Sequence, residues 1–383
     1  MRWTKTGCDL LRMGEAMKLR TLPLSRSNVD RADALRSNAT QIAALRERAA
    51  FLIFDGEKFQ LAQPLSDSSS AQSLVGTSSA QSLVGTASAQ SLVGTASAQS
   101  SAGTAALNVD SIHTDSLDSI SLIHLSAPAE IRESYFLGLS RDASAQPFFL
   151  ARVEAANLPE SSPELSQWKT LREIGAQLSA LEIGLAVHGQ GLANWHMKHQ
   201  HCPTCGAKSV PDLAGSIRRC TVDGSEHYPR TDPAIIILLR DVDDRILLGR
   251  QRIWPEHRFS TFAGFVETGE SFEQAIHREV HEEAGVEVDE IEYLGSQPWP
   301  FPASLMIAFQ ARITNPEAAR ADETEIEEIR WFSRDSMKSA IDGGTLLLPP
   351  LISVARAMIE SWYHEGEQNK ERPPLPGSET WRP

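Results

Sequence analysis

Positions 264–286 read GFVETGESFEQAIHREVHEEAGV, and six of these 23 residues are glutamate, three of them packed into REVHEE. Like charges one helical turn apart destabilise a helix, yet the helix signals here are strong. Ser271 is a favourable N-cap with Gln274 three residues on, the two halves of a capping box. Gly285 stands where a C-cap glycine belongs. The spacing therefore predicts a helix over about 272–284. On it Glu279 and Glu283 are four residues apart and Glu282 is three from Glu279, so all three fall on one side. They share that side with Ala275 and border Ile276 and Val280, whereas a solvated acidic face would be polar throughout. Clustered hard oxygens at the margin of an apolar stripe suit Mg²⁺ or Mn²⁺, with substrate phosphate filling other coordination positions. Such an ion would offset the repulsion.

The surrounding segments supply a frame for that helix. PAIIILLRDVDDRILLGRQR (233–252) reads as strand, turn at Asp243 and Asp244, strand. Strand-like segments near 291–296, 305–313 and 328–332 follow, then a helix over about 351–364. Mixed strands and helices in this order predict an α/β sandwich over 229–365. Upstream, FLIFDGEKFQLA (51–62) and SYFLGLSRDASAQPFFLARV (134–153) read as hairpins. Residues 164–199 turn helical, with Leu181, Leu185, His188, Leu192 and Trp195 on one stripe, where His188 is a core residue rather than a ligand. These make a smaller α+β domain, 51–199, behind an N-terminal extension, 1–50. Four copies of a nine-residue unit interrupt it at 69–104 (SSAQSLVGT and variants). They lack the Asp and Gly of a calcium-binding β-solenoid repeat and read as a flexible insertion. The tail, 366–383, is expected to be disordered.

The 383 residues carry 36 Lys+Arg against 50 Asp+Glu, a formal net charge of −14. That excludes a general binder of nucleic acid or anionic membrane surface while leaving room for a local basic pocket. The longest aliphatic runs are too short to span a bilayer, and the N-terminus lacks the apolar core of a signal peptide. Four cysteines, at 8, 202, 205 and 220, then point to metal ligation or redox chemistry in a cytoplasmic protein rather than a disulfide framework.

The acidic segment also resembles a known family. Gly264, Glu270, Arg278, Glu279, Val280, Glu282, Glu283, Gly285 and Val286 match the Nudix hydrolase signature G-x5-E-x7-R-E-U-x-E-E-x-G-U, U aliphatic, without a departure. Chance agreement at its seven fixed positions is about one in a billion per window at ordinary residue usage. The resemblance implies an α/β/α sandwich and cleavage of nucleoside diphosphates linked to another moiety. Glu279 and Glu283 would hold the metals, with Glu282 as a third acid and Glu270 paired to Arg278 as a brace.

SQPWPFPAS (296–304), ten residues on, is similar to the array of the NADH pyrophosphatase branch, as are HCPTCG (201–206) and YPRTDP (228–233). That resemblance covers roughly 195–360 strongly. It implies that Gln297, Pro298, Trp299, Pro300, Phe301, Pro302, Ala303 and Ser304 line a dinucleotide site, with Tyr228 and Ala355 contacting substrate and Phe265 stacking on a ring. It also implies that the Ala263 carbonyl and Glu325, chosen over Glu328, are metal ligands. The reaction implied is NADH plus water giving reduced nicotinamide mononucleotide and AMP, with NAD and NAD-capped RNA 5′ ends as further substrates. The alternative is a relative preferring ADP-ribose or dinucleoside polyphosphates. A homodimer is implied too, and some relatives are peroxisomal, although the chain ends without an SKL-type signal. In the ribbon-like segment, 200–228, Cys202, Cys205 and Cys220 provide three zinc ligands where structural sites take four. The branch has a fourth cysteine shortly after the third. Here Ser225 stands at a four-residue gap, and His227 is the expected substitute, with His201 nearby and a metal-free ribbon the alternative.

Overall fold

Ile235, Ile236, Ile237, Leu238 and Leu239 are all buried, and the alternation of a strand sends them to two different cores. Ile235, Ile237 and Leu239 pack with Ala275, Ile276, Val280 and Ala284, while Ile236 and Leu238 pack with Val354, Met358 and Ile359. A strand that is apolar on both faces must lie between two layers, and each such side chain contributes roughly 1.5–3 kcal/mol on burial. The computed structural model describes residues 22–62, 120–154 and 167–377. The nonapeptide repeats, Cys8 and residues 378–383 of the tail lie outside them.

The N-terminal part contains β1 (Val29–Asp30), α1 (Ala39–Glu47), β2 (Ala50–Phe54), β3 (Phe59–Gln60), β4 (Glu133–Ser140), β5 (Pro147–Arg152), β6 (Trp168–Lys169), α2 (Leu171–Ile174) and α3 (Ala180–Lys198). Its strands form one sheet in the order β1-β4-β5-β2-β3-β6. The two expected hairpins are present as antiparallel pairs, β2 with β3 and β4 with β5. The helical region divides into α2 and α3, each opened by a capping box, Thr170 with Glu173 and Ser179 with Glu182. Residues 22–50 are not an appendage. Leu22 and Leu24 are buried, β1 pairs with β4, and the Leu24 amide donates to Gln297 Oε1 at 3.3 Å.

A small sheet follows, β7 (Ser209–Asp212), β8 (Ile217–Cys220) and β9 (Glu226–His227). The C-terminal part contains β10 (Asp232–Arg240), β11 (Ile246–Gln251), β12 (Phe262–Phe265), α4 (Phe272–Ala284), β13 (Val288–Trp299), β14 (Ser304–Ile313), β15 (Ile326–Phe332), α5 (Arg334–Asp342) and α6 (Val354–Tyr363). Its sheet runs β13-β14-β10-β11-β15, with β12 also on β10 and only β10–β14 parallel. With α4 on one face and α6 on the other, this is the expected sandwich. Residues 366–377 depart from the expectation of disorder. Arg356, buried on α6, donates to the Leu375 and Pro376 carbonyls at 2.9 and 2.7 Å, and Leu375 itself is buried. Among the described residues no helix is long and apolar enough to cross a membrane.

Candidate active site and zinc-ribbon segment

α4 begins and ends where the capping signals place it, with Ser271 and Gln274 exchanging hydrogen bonds and Gly285 at φ 65°. Burying its apolar stripe turns Glu283 inward to 4% exposure and leaves Glu282 in solvent. Arg278 gathers the acidic segment. Its guanidinium donates to both Glu270 oxygens at 2.9 Å, to the Phe265 carbonyl at 3.0 Å, to Glu279 at 2.7 Å and to Glu282 at 3.2 Å. Those hydrogen bonds hold the Glu270 carboxyl down to about 2. Burial raises Glu279 above the ordinary glutamate range, with Arg278 opposing. Gly264 gives that carboxylate its place: a Cβ there would lie 1.9 Å from Glu279 Cδ and Oε1.

Glu283 is the most perturbed acid of the group. Burial, then the charges of Glu279, Glu325, Asp322 and Glu282, push its carboxyl up to about 9. Its Oε2 is buried with no hydrogen-bond partner. An orphaned carboxylate oxygen facing further carboxylates is costly in a protein interior, and a divalent cation with hard oxygen ligands would satisfy it. The donor set therefore fits the group that the sequence implies. Asp322 was not foreseen. It accepts from the Glu325 and Ile326 amides at 3.0 and 2.7 Å and so fixes the turn that carries Glu325. Glu325 accepts from Gln251 Nε2 at 3.2 Å, whereas Glu328 is engaged by Arg330 at 2.6 Å.

Glu283 lines a cavity of about 200 Å³ together with Ala263, Trp299, Ala355, Trp254 and Thr261. A smaller cavity of about 80 Å³ shares Trp254, Ser260, Trp299 and Ser353 with it. Trp254 had no motif to mark it; its only sequence signal is an aromatic in the loop after β11. Of the expected ring-binding stretch, Trp299 alone lines these cavities. Gln297 is fully buried, its Nε2 donating to the Ile352 carbonyl at 2.9 Å and its Oε1 accepting from Leu24. It clasps backbone, which corrects its expected contact with ligand. The Pro300 and Pro302 carbonyls accept from α3, the Ala303 carbonyl accepts from Asp232 N at 2.8 Å, and Ser304 heads β14 opposite Trp299. Pro298 pairs with Leu305 in the same ladder, and Phe301 packs on the N-terminal core. Tyr228 and Phe265 stand 67% and 60% exposed, outside both cavities.

In the small sheet, Cys202, Cys205, Cys220 and Asp223 place one ligand atom each within 4.8 Å of one another. Cys205 and Cys220 Sγ are 3.5 Å apart, and Asp223 Oδ2 is 3.6 Å from Cys202 Sγ. The fourth donor in this geometry is Asp223, not His227, whose Nε2 instead meets Ser225 Oγ at 3.2 Å. The signal was present in the chain: CPTCG and CTVDG repeat one pattern. In both, the glycine has positive φ, 74° at Gly206 and 72° at Gly224, and donates to the carbonyl of the first cysteine. Ser225 N and Oγ both donate to Asp223 Oδ1, at 2.9 and 2.6 Å, which leaves Oδ2 for the cluster.

A metal-poised acidic helix on a mixed sheet covered on both faces, preceded by a cysteine ribbon, defines a class, and the chain belongs to the Nudix hydrolase family. Residues 230–348 match the NUDIX domain, and residues 198–228 match the NADH pyrophosphatase zinc ribbon domain. More particularly, the chain is 41% identical over 232 residues to the NAD-capped RNA hydrolase NudC of Mycobacterium bovis (strain BCG / Pasteur 1173P2), covering 56% of this chain and 74% of that one. It is 35% identical to an NAD-capped RNA hydrolase of Schizosaccharomyces pombe (51% of this chain, 58% of that one). It is 36% identical to the NAD-capped RNA hydrolase NUDT12 of Macaca fascicularis (49% and 43%).

Proposed function

We propose that this protein hydrolyses the diphosphate of NADH and NAD, giving reduced or oxidised nicotinamide mononucleotide and AMP, and acts likewise on NAD-capped RNA 5′ ends. The observation that carries the reading is one cavity holding both an orphaned buried carboxylate, Glu283, and a tryptophan face, Trp299. The names of the relatives support the substrate class. Glu279, Glu283 and Glu325, with the Ala263 carbonyl, would hold Mg²⁺ or Mn²⁺. When bound, such a cation neutralises the diphosphate oxygens and favours in-line attack of water. Arg278 holds Glu279 and Glu282 by hydrogen bonds at 2.7 and 3.2 Å. Glu282, the solvent-facing acid, is the group we assign to take the proton of the attacking water as the P–O bond to the leaving phosphate breaks. Trp299 and Trp254 offer faces on which a base or nicotinamide ring can stack. Ile236, Met306, Ile326 and Val354 line the same cavity and give it an apolar wall.

In the ribbon, Cys202, Cys205, Cys220 and Asp223 would hold a structural zinc. The exposed Tyr228 and Phe265 would be covered by, and complete the substrate contacts at, the interface of a homodimer. Unpaired cysteines among the described residues fit a reducing, cytoplasmic location. The test is product chromatography with Mg²⁺ or Mn²⁺ and equal NADH, NAD⁺ and ADP-ribose. AMP and reduced nicotinamide mononucleotide forming fastest from NADH is the expected result; faster cleavage of ADP-ribose would overturn the substrate assignment.

A further inference from the structure

The segment QPWPFPA (297–303) contains three prolines, so its backbone has few N–H groups and its carbonyls need donors from elsewhere. Those donors come from the N-terminal part of the molecule. Gln190 Nε2 donates to the Pro300 carbonyl at 3.0 Å, and Asn194 Nδ2 donates to the Pro300 and Pro302 carbonyls, each at 3.0 Å. The two side chains are four residues apart on α3 and so share one face. They grip the carbonyls of the prolines on either side of Phe301, whose ring meets Trp299 edge to face at 4.9 Å between centroids. The Arg172 guanidinium lies 4.1 Å from the Phe301 centroid and 5.1 Å from that of Trp299. Both rings pack against the N-terminal core. α3 is itself held at both ends. At its start Glu182 accepts from the Leu122 amide at 2.9 Å. Near its end His196 Nε2 meets the Gly215 carbonyl at 2.8 Å, and Arg218 Nη1 lies 3.0 Å from His196 Nδ1.

We propose that Gln190 and Asn194 are positioning residues that set the Trp299 face of the substrate cavity from the N-terminal domain. The proposal rests on reading that cavity as the dinucleotide site. The metal-poised acids stand on α4 and on the turn before β15, away from α3, so the two halves of the site are set by different parts of the molecule. Loss of the amide donors would relax the ring wall and leave the acids in place. The effect should therefore fall on binding that is common to ground and transition states, which appears in KM rather than kcat.

The experiment is steady-state kinetics on the full chain with Mn²⁺ and NADH for wild type, Gln190→Leu, Asn194→Ala and Asn194→Asp. Asn194→Asp keeps the side chain's shape but turns its donors into oxygens that the two carbonyls repel, so a hydrogen-bonding role raises its KM at least as far as in Asn194→Ala. The expected result is a KM raised about tenfold or more in both Asn194 variants, with kcat within about twofold. Asn194 is only half-buried, so these variants carry the test even if Gln190→Leu does not fold. A wild-type KM in Asn194→Asp, or a loss confined to kcat, overturns the proposal. Failure of the wild type to cleave NADH overturns the reading of the cavity and this inference with it.

Discussion

Glu283→Gln should stabilise the protein in the absence of Mg²⁺ and Mn²⁺ while abolishing its turnover. The buried carboxyl, pushed up to about 9, keeps its proton in the folded chain at pH 7, whereas in the unfolded chain it ionises near about 4.3. Between these values the folded state holds one more proton than the unfolded state, so Glu283 lowers stability by about 1.4 kcal/mol per pH unit as pH rises. Integrated from about 4.3, the cost is about 1 kcal/mol at pH 5 and about 4 kcal/mol at pH 7, and it stops growing above the folded pKa. The glutamine keeps the shape and buried polar ends of the protonated acid without this cost. Urea denaturation of both proteins at pH 5, 6, 7 and 8, with ribbon zinc retained and no other divalent ion, should give a gap that widens with pH in favour of the variant. Added Mn²⁺ should then stabilise the wild type selectively, because the ion binds the folded carboxylate form. Equal stabilities, or a gap independent of pH, would refute the argument that an unpaired buried acid is the centre of this site.

Replacing Gly264 with alanine sets a Cβ against the movable end of Glu279. Folding stability should therefore change little while the Mn²⁺ requirement rises and turnover falls by about ten- to a hundredfold, as a metal titration of activity would report. Asp223→Ala should weaken zinc retention by at least about tenfold, measured by chelator competition and metal content, whereas His227→Ala should keep wild-type zinc. The Glu270–Arg278 pair sets a third expectation. With the folded Glu270 carboxyl at about 2 and an unfolded value near about 4.3, its stabilisation is present above the unfolded value and is lost as pH falls through the window between them. Glu270→Gln should thus flatten the acid limb of the stability profile there, and an unchanged limb would break the assignment.

Local signals were sufficient for α4, α6 and the strands of the long hairpins, whereas α1, α5 and β12 were not foreseen and β6 fell in a stretch read as helical. The capping residues Ser271, Gln274 and Gly285 act within a turn of themselves, which is why the bounds of α4 were legible. The unbroken apolar run Ile235 to Leu239 belongs to one strand, and the need for two covering layers follows from it. The acids of α4 could be grouped by helical spacing alone. The role of Gln297 could not, because its partners, Leu24 and Ile352, are supplied by segments 273 and 55 residues away. The same holds for residues 366–377, a run that reads as disordered but is held by Arg356 of α6 and by Arg372 against Asp335.

By itself, the sequence determined an acidic helix on a mixed sheet and a cysteine ribbon ahead of it, since each rests on contacts or spacings local in the chain. Tertiary structure alone decided that Glu283 is the orphaned acid, that Trp254 and Trp299 share its cavity, and that α3 holds the proline-rich wall. Burial and electrostatic coupling depend on which distant segments meet. The choice of Asp223 lies between these cases: its repeat with the first cysteine turn was written in the chain, but only the converging sulfur and oxygen atoms gave that repeat a chemical meaning.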